Sequence, residues 1–223
     1  VTMRFAEMLN DSGEKSRGND GPEGSLYTAN YRSALSTGVY VAKGEGRESY
    51  HPAFSFYGFR YVSISASADI TIHSFKAEVL GSAIPETGKL TTSNKDVNQL
   101  ISNVLWGQRG NYLSVPTDCP QRDERLGWSG DTQVFVGAAS YNANVAGFFH
   151  KWGQDARDSQ TNDGQYTDVI PRSSVVGAGN TAWGDAGIIV PYTIYKMYGD
   201  KQMIREMYTS MEKYMTWLQG RGF

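Results

Sequence analysis

From Val39 to about Leu80 apolar and polar positions alternate. Phe54 and Phe56 lead, Tyr57, Phe59 and Tyr61 follow on the opposite parity across Gly58, and Val62, Ile64, Ile70 and Ile72 come after. A period of two predicts short strands, and a glycine at the parity change marks an inserted residue or bulge. An opening strand is expected from Met3 to Met8. Residues 10 to 25 (NDSGEKSRGNDGPEGS) are glycine-rich and polar and read as a loop. Several short strands without helical pattern predict an antiparallel β-sandwich portion over residues 1–82.

Around Ile84-Pro85-Glu86-Thr87-Gly88 the alternation stops, and a linker is expected over 83–93. A helical period then takes over. Ser93 reads as a helix cap with Asp96 three residues on, and Val97, Leu100, Ile101, Val104 and Leu105 fall on one helical face. Further helices are predicted at about 131–144, 146–158, 185–198 and 201–219. The last carries Met203, Ile204, Met207, Tyr208, Met211, Tyr214, Met215 and Leu218 at three and four spacing. Such a methionine-rich stripe reads as core. Residues 94–223 are therefore expected to form helices in antiparallel pairs. Apolar helix faces need partners, and the chain stops at Gly220-Arg221-Gly222-Phe223, so a fragment of a longer protein is expected.

Composition narrows the function classes. With 21 basic and 23 acidic residues and no long basic run, a nucleic-acid surface is not expected. No apolar stretch reaches the ~20 residues of a membrane span, and VTMRFAEMLN lacks the apolar segment of a secretion signal, so a soluble chain is expected. The single cysteine, Cys119, excludes an internal disulfide. Aromatic content is 13%, with 14 Tyr and 5 Trp, which suits either a core or a surface that stacks on sugar rings.

Candidate chemistry concentrates in DCPQRDERLGWSGD, residues 118–131, where Asp118, Asp123, Glu124 and Asp131 stand beside two arginines and Trp128. Singly, Asp123, Glu124 and Arg125 could form a solvated turn, Asp118 could be a turn residue ahead of Pro120, and Asp131 the cap of the next helix. As a set they read as a site on a loop. A calcium loop needs alternating acidic positions and a central glycine, whereas Pro120 and two cationic side chains interrupt this stretch. His51, His73 and His150 are isolated and read as structural or surface residues, so no metal and no cofactor are expected. Glycosidic bond cleavage fits better. It needs one carboxylic acid for the leaving oxygen, a second carboxylate for water or the sugar, and aromatic groups to hold the ring.

DCPQRDERLGWSGD closely resembles the signature of the α-L-rhamnosidases of glycoside hydrolase family 78. FSFYGFRYVSI at 54–64 is similar to the F-x-F-x-G-F-R-Y-V strand of the β-domain preceding that family's catalytic domain, and NTAWGDAG at 180–187 resembles a second barrel segment. The resemblance covers nearly the whole chain and implies a β-sandwich followed by the first part of an (α/α)6 barrel. By position it implies Glu124 as general acid and Asp118 and Asp131 as holders of rhamnose hydroxyls. Arg122, Asp123 and Trp128 would line the pocket, Trp183 would face the sugar, and Asp185 is a further candidate contact. The family inverts configuration and draws its base, a glutamate, and a sugar-contacting histidine from later in the barrel, at positions this chain does not contain. Glu206 and Glu212 are its only later glutamates, and both sit on the polar side of a helix.

The resemblance therefore implies a hydrolase of rhamnose-containing glycosides or polysaccharides, with this chain inactive by itself. Two alternatives stand beside it: a sugar-binding or structural module, and an inverting hydrolase of the same barrel type acting on another sugar. Asp118, Glu124, Trp128, Asp131 and Trp183 are expected to converge on one cleft.

Overall fold

The computed structural model describes residues 1–11 and 20–222; residues 12–19, half of the loop expected over 10–25, lie outside the described residues. The chain divides into two compact units, Val1–Leu80 with Cys119–Arg125, and Gly81–Asp118 with Leu126–Phe223. The acidic segment is split by that division.

In the first unit, strand β1 (Thr2–Ala6) lies between β4 (Thr37–Val39) and β5 (Tyr61–Ser65), antiparallel to both. The two-residue strands β2 (Met8–Leu9) and β3 (Leu26–Tyr27) pair separately. Residues 54–60, expected as strand, are irregular, and the aromatic alternation there has another cause. Tyr57 stacks on Phe5 at 4.1 Å between centroids and Phe59 lies 5.0 Å from it, so the shared parity serves packing on Phe5 rather than sheet pairing. Nor does Gly58 mark a bulge in a strand. A Cβ there would lie 2.5 Å from Gln121 Cβ, so glycine lets the 119–125 loop approach. Ile70 and Ile72 are about half exposed and outside any strand.

The second unit contains α1 (Lys95–Asn111), a short hairpin β6 (Tyr112–Leu113) and β7 (Val115–Pro116), then α2 (Ser129–Asn142), α3 (Ala146–Ser159), α4 (Ala186–Tyr198) and α5 (Lys201–Gly220). Helix α1 is capped by Asn94, whose side chain accepts from the N–H groups of Asp96 and Val97, one residue after the expected Ser93. Asp131 is not a cap either: it lies in the first turn of α2, where a carboxylate still favours the helix dipole. Helices α2 and α4 pack together, α4 against α5, and α3 against both α4 and α5. The core is aromatic and sulfur-rich, with Phe149, Trp152, Tyr166, Met203, Met207 and Tyr214 at 0–1% exposure. The α5 stripe is only partly interior, because Tyr208 and Met215 are exposed, as are Val97 and Leu100 of α1. Segment 82–88 is pinned to this unit by Ser82 N–H to Tyr112 O, by Gly88 N–H to Asn142 O, and by the Arg109–Glu86 ion pair.

Candidate active site

Within the first unit, the loop 119–125 is held largely by side chains. Arg125, at φ 55°, donates from Nε to Pro120 O and from a terminal nitrogen to Phe56 O, each at 2.9 Å, with its guanidinium over the Phe56 ring. This orientation leaves residues 122–124 to meet the turn after the 3-10 helix Ala29–Tyr31. There Arg32 donates to Glu124 Oε2 at 3.1 Å, and Arg122 donates to the same oxygen at 3.2 Å and to Cys119 Sγ at 2.7 Å. Ser33 donates to Asp123 from both its N–H, at 3.2 Å, and its hydroxyl. The Ser33 hydroxyl bond, with the Ser33 N–H and the Arg32 charge, holds Asp123 below the ordinary carboxylate range against a smaller desolvation effect. The Glu124 side chain is 14% exposed, with its carboxylate between two guanidiniums.

Arg32 and Ser33 were not foreseen from the sequence, because they lie about 90 residues away from their partners in a stretch without motif character. Glu7 was also missed. Burial raises its pKa, and hydrogen bonds from Gln121 and Asn30 with the Arg122 charge do not cancel that effect.

Within the second unit, Asp118 N–H donates to Leu126 O at 3.1 Å, closing the neck from which the loop leaves and to which it returns. Asp118 and Asp131 line one cavity of about 270 Å³, with Asn111, Tyr112 and Phe135 among its other walls. Ile170 N–H donates to Gly127 O, and Ser129 N–H to Asp168 O, which seats residues 127–129 along 168–170. That seating brings Trp128 against Trp183, with ring centroids 6.4 Å apart at 68°. Gly130 permits it: a Cβ there would sit 3.1 Å from Trp183 Nε1. Asp185 accepts the Ala182 N–H and the Tyr214 hydroxyl, each at 2.8 Å, so both of its oxygens serve the turn that carries Trp183. Burial first, then Asp185, push the Tyr214 phenol well above its usual value.

The expected site residues thus fall in two groups. Arg122, Asp123 and Glu124 belong to the first unit, and Asp118, Trp128, Asp131, Trp183 and Asp185 to the second. The family model described as the bacterial alpha-L-rhamnosidase concanavalin-like domain matches residues 1–81, and that of the 6 hairpin glycosidase domain matches residues 85–222. The chain belongs to the bacterial alpha-L-rhamnosidase family.

Among its relatives, an alpha-L-rhamnosidase of Streptomyces avermitilis is 44% identical over 98% of this chain, and one of Formosa agariphila is 43% identical over 96%. The crystal structure of the Streptomyces avermitilis alpha-L-rhamnosidase complexed with L-rhamnose superposes with a TM-score of 0.84 at 42% identity, covering 98% of this chain and 20% of that one. The alpha-L-rhamnosidase structure from Dictyoglumus thermophilum gives a TM-score of 0.88 at 37% identity, covering 98% and 24%. The chain spans about a fifth of the length of these rhamnosidases, 20% and 22% of the two curated relatives. Among the described residues, the part matching the concanavalin-like domain carries the strands β1 to β5, and the part matching the 6 hairpin glycosidase domain carries five α-helices. Among the described residues no helix is long and apolar enough to cross a membrane.

Proposed function

We propose that the complete protein carrying this chain hydrolyses terminal α-L-rhamnosyl residues from rhamnose-containing glycosides or polysaccharides with inversion, and that Glu124 is the general acid. The observation that carries this reading is the Glu124 carboxyl between Arg32 and Arg122 at 3.1 and 3.2 Å. Proton donation leaves a carboxylate behind, which the two guanidiniums stabilise; the same charges disfavour the protonated form from which the step starts, so the pair sets the strength of the acid against the fraction that holds a proton. As the bond from the anomeric carbon to the glycosidic oxygen breaks, the Glu124 proton goes to the departing oxygen. A water deprotonated by the base attacks the opposite face of the ring.

Asp118 and Asp131, on one cavity wall in the helical unit, are assigned to the rhamnose hydroxyls, with Trp128 and Trp183 as the aromatic surface for the sugar. Arg122 and Asp123 support the acid. The base comes from outside this chain. Glu206 is bonded to His150 and Gln202 on α5, which suits a structural role. An inverting pair separates its carboxyls by roughly 6.5–9.5 Å to admit water, and that spacing is expected between Glu124 and the base.

Proton NMR of the first sugar released by the complete protein tests the reading. Inverted anomeric configuration is expected. Release with the substrate's own configuration would overturn the assignment of Glu124 to an inverting pair.

A further inference from the structure

The turn 180–185 is over-determined for a surface connection. Ala182, which has a Cβ, is held at φ 73°, a left-handed conformation that non-glycine residues keep only where their surroundings enforce it. The enforcement comes from two carboxylates. Asp185 accepts the Ala182 N–H at 2.8 Å from within the turn. From outside it, Asp168 is 4% exposed and sends both carboxylate oxygens to one residue: Oδ1 accepts the Asn180 N–H at 3.2 Å, and Oδ2 accepts the Asn180 side-chain amide. Asn180 O in turn accepts from Trp183 N–H at 3.1 Å and Gly184 N–H at 2.9 Å. On the other side of the peptide, Ser129 Oγ lies 2.9 Å from Trp183 O and 2.9 Å from Asp168 O.

We infer that Asp168 is a positioning residue that, through Asn180, fixes the angle at which Trp183 presents its indole to the sugar. Burying a carboxylate is costly, and the bidentate grip on a single asparagine uses the strong, directional acceptor that only a charge provides. The grip fixes the residue three positions before Trp183, Asp185 fixes the one immediately before it, and Trp128 with Gly130 fixes the ring itself. A ring held in this way contacts the sugar equally in ground and transition states, so loosening it weakens binding without slowing chemistry. The inference rests on the reading of Trp183 as a sugar-facing residue.

The test compares Asp168→Asn, Trp183→Ala and the double variant in the complete protein, with an aryl α-L-rhamnoside as substrate. Asp168→Asn turns an acceptor into a donor facing the Asn180 amide. Its KM is expected to rise about tenfold with kcat within about twofold, and the double variant is expected to show no rise beyond that of Trp183→Ala. The exciton couplet of the Trp128–Trp183 pair in circular dichroism should shrink in Asp168→Asn while the helical signal stays. A fall in kcat at unchanged KM, or effects that multiply in the double variant, would overturn the inference. If Trp183→Ala leaves KM unchanged, the sugar-facing reading fails, and the couplet alone decides the positioning: kept in Asp168→Asn it refutes the clasp, lost it upholds it. Should Asp168→Asn not fold, Asn180→Ala removes the side-chain half of the same link from an exposed residue, keeping the backbone N–H bond, and is judged by the same outcomes with smaller expected sizes.

Discussion

The acid-bearing loop 119–125 and the tryptophan-bearing turn 180–185 are held in place by opposite means. The loop depends on charged side chains with water access, Arg32 at 54% and Arg122 at 25% exposure, meeting Glu124 and Asp123. The turn depends on backbone groups and buried partners, with Ser129 at 0% and Asp168 at 4% exposure. Charges near water are tunable by salt and pH, whereas a buried hydrogen-bonded lattice is rigid and all-or-none. Under the proposed function, the adjustable loop serves the proton and the rigid turn serves the sugar.

The sharpest way to break it is on the rigid side. A Cβ at Gly127 would lie 2.2 Å from Ile170 O, on the seam that seats Trp128 and Ser129. Gly127→Ala is expected to cost about 3 kcal/mol, read as a lowered urea midpoint, because backbone rather than a flexible side chain must move. A change below about 1 kcal/mol would show that the seam yields and that rigidity is the wrong word for it.

On the adjustable side, Arg32→Met should change stability by less than about 1 kcal/mol, since the pair is largely exposed on the arginine side. Its catalytic effect should be selective. Rhamnosides with poor leaving groups should lose severalfold more rate than activated aryl rhamnosides, measured where the acid is protonated, and added salt should narrow the gap between variant and parent. Equal losses on both substrates would reduce Arg32 to a scaffold residue.

A smaller effect separates the site from the rest of the helical unit. His150 bonds Asp200 at 2.7 Å and Glu206 at 3.1 Å, stapling α3 to α5. Burial alone would lower its pKa, but the two carboxylates outweigh this and raise it. A raised imidazole contributes stability that is complete below its unfolded value of about 6.5 and is lost as pH rises through the folded value. Asp200 is depressed because the Met203 N–H and His150 overcome its desolvation, and Glu206 is depressed by Gln202 and then His150. Their contributions are present above the ordinary carboxylate values and lost as pH falls through the depressed ones. The staple should therefore be strongest between about pH 4.5 and 6.5, and His150→Gln should flatten the decline in stability above that window, an effect of under about 1 kcal/mol read from Tm against pH.

The helices were legible from sequence because α3, α4 and α5 each carry sustained apolar positions, and the junction of the last two is marked: left-handed Gly199 ends α4 and Asp200 caps α5. The segment 54–60 was not, since Tyr57 and Phe59 alternate to pack on Phe5 and thereby imitate a strand. At the site, local motif reading singled out Glu124 and Trp183 but not what holds them. Arg32 is 92 positions from Glu124, and Asp168 reaches Asn180 across an irregular loop, so neither partnership leaves a local period or spacing to find.

The central claim is that Glu124 donates the proton while the helical residues hold the sugar, and Glu124→Gln in the complete protein tests it most directly when set beside Asp131→Asn. Glu124→Gln should lose about 10²- to 10⁴-fold in kcat/KM on rhamnosides with poor leaving groups and far less on activated aryl rhamnosides, because an amide cannot protonate a departing oxygen that needs the proton. Asp131→Asn should weaken both substrates to a similar degree. A Glu124→Gln enzyme that loses equally on both substrates, or keeps its rate on the poor leaving groups, would contradict the account.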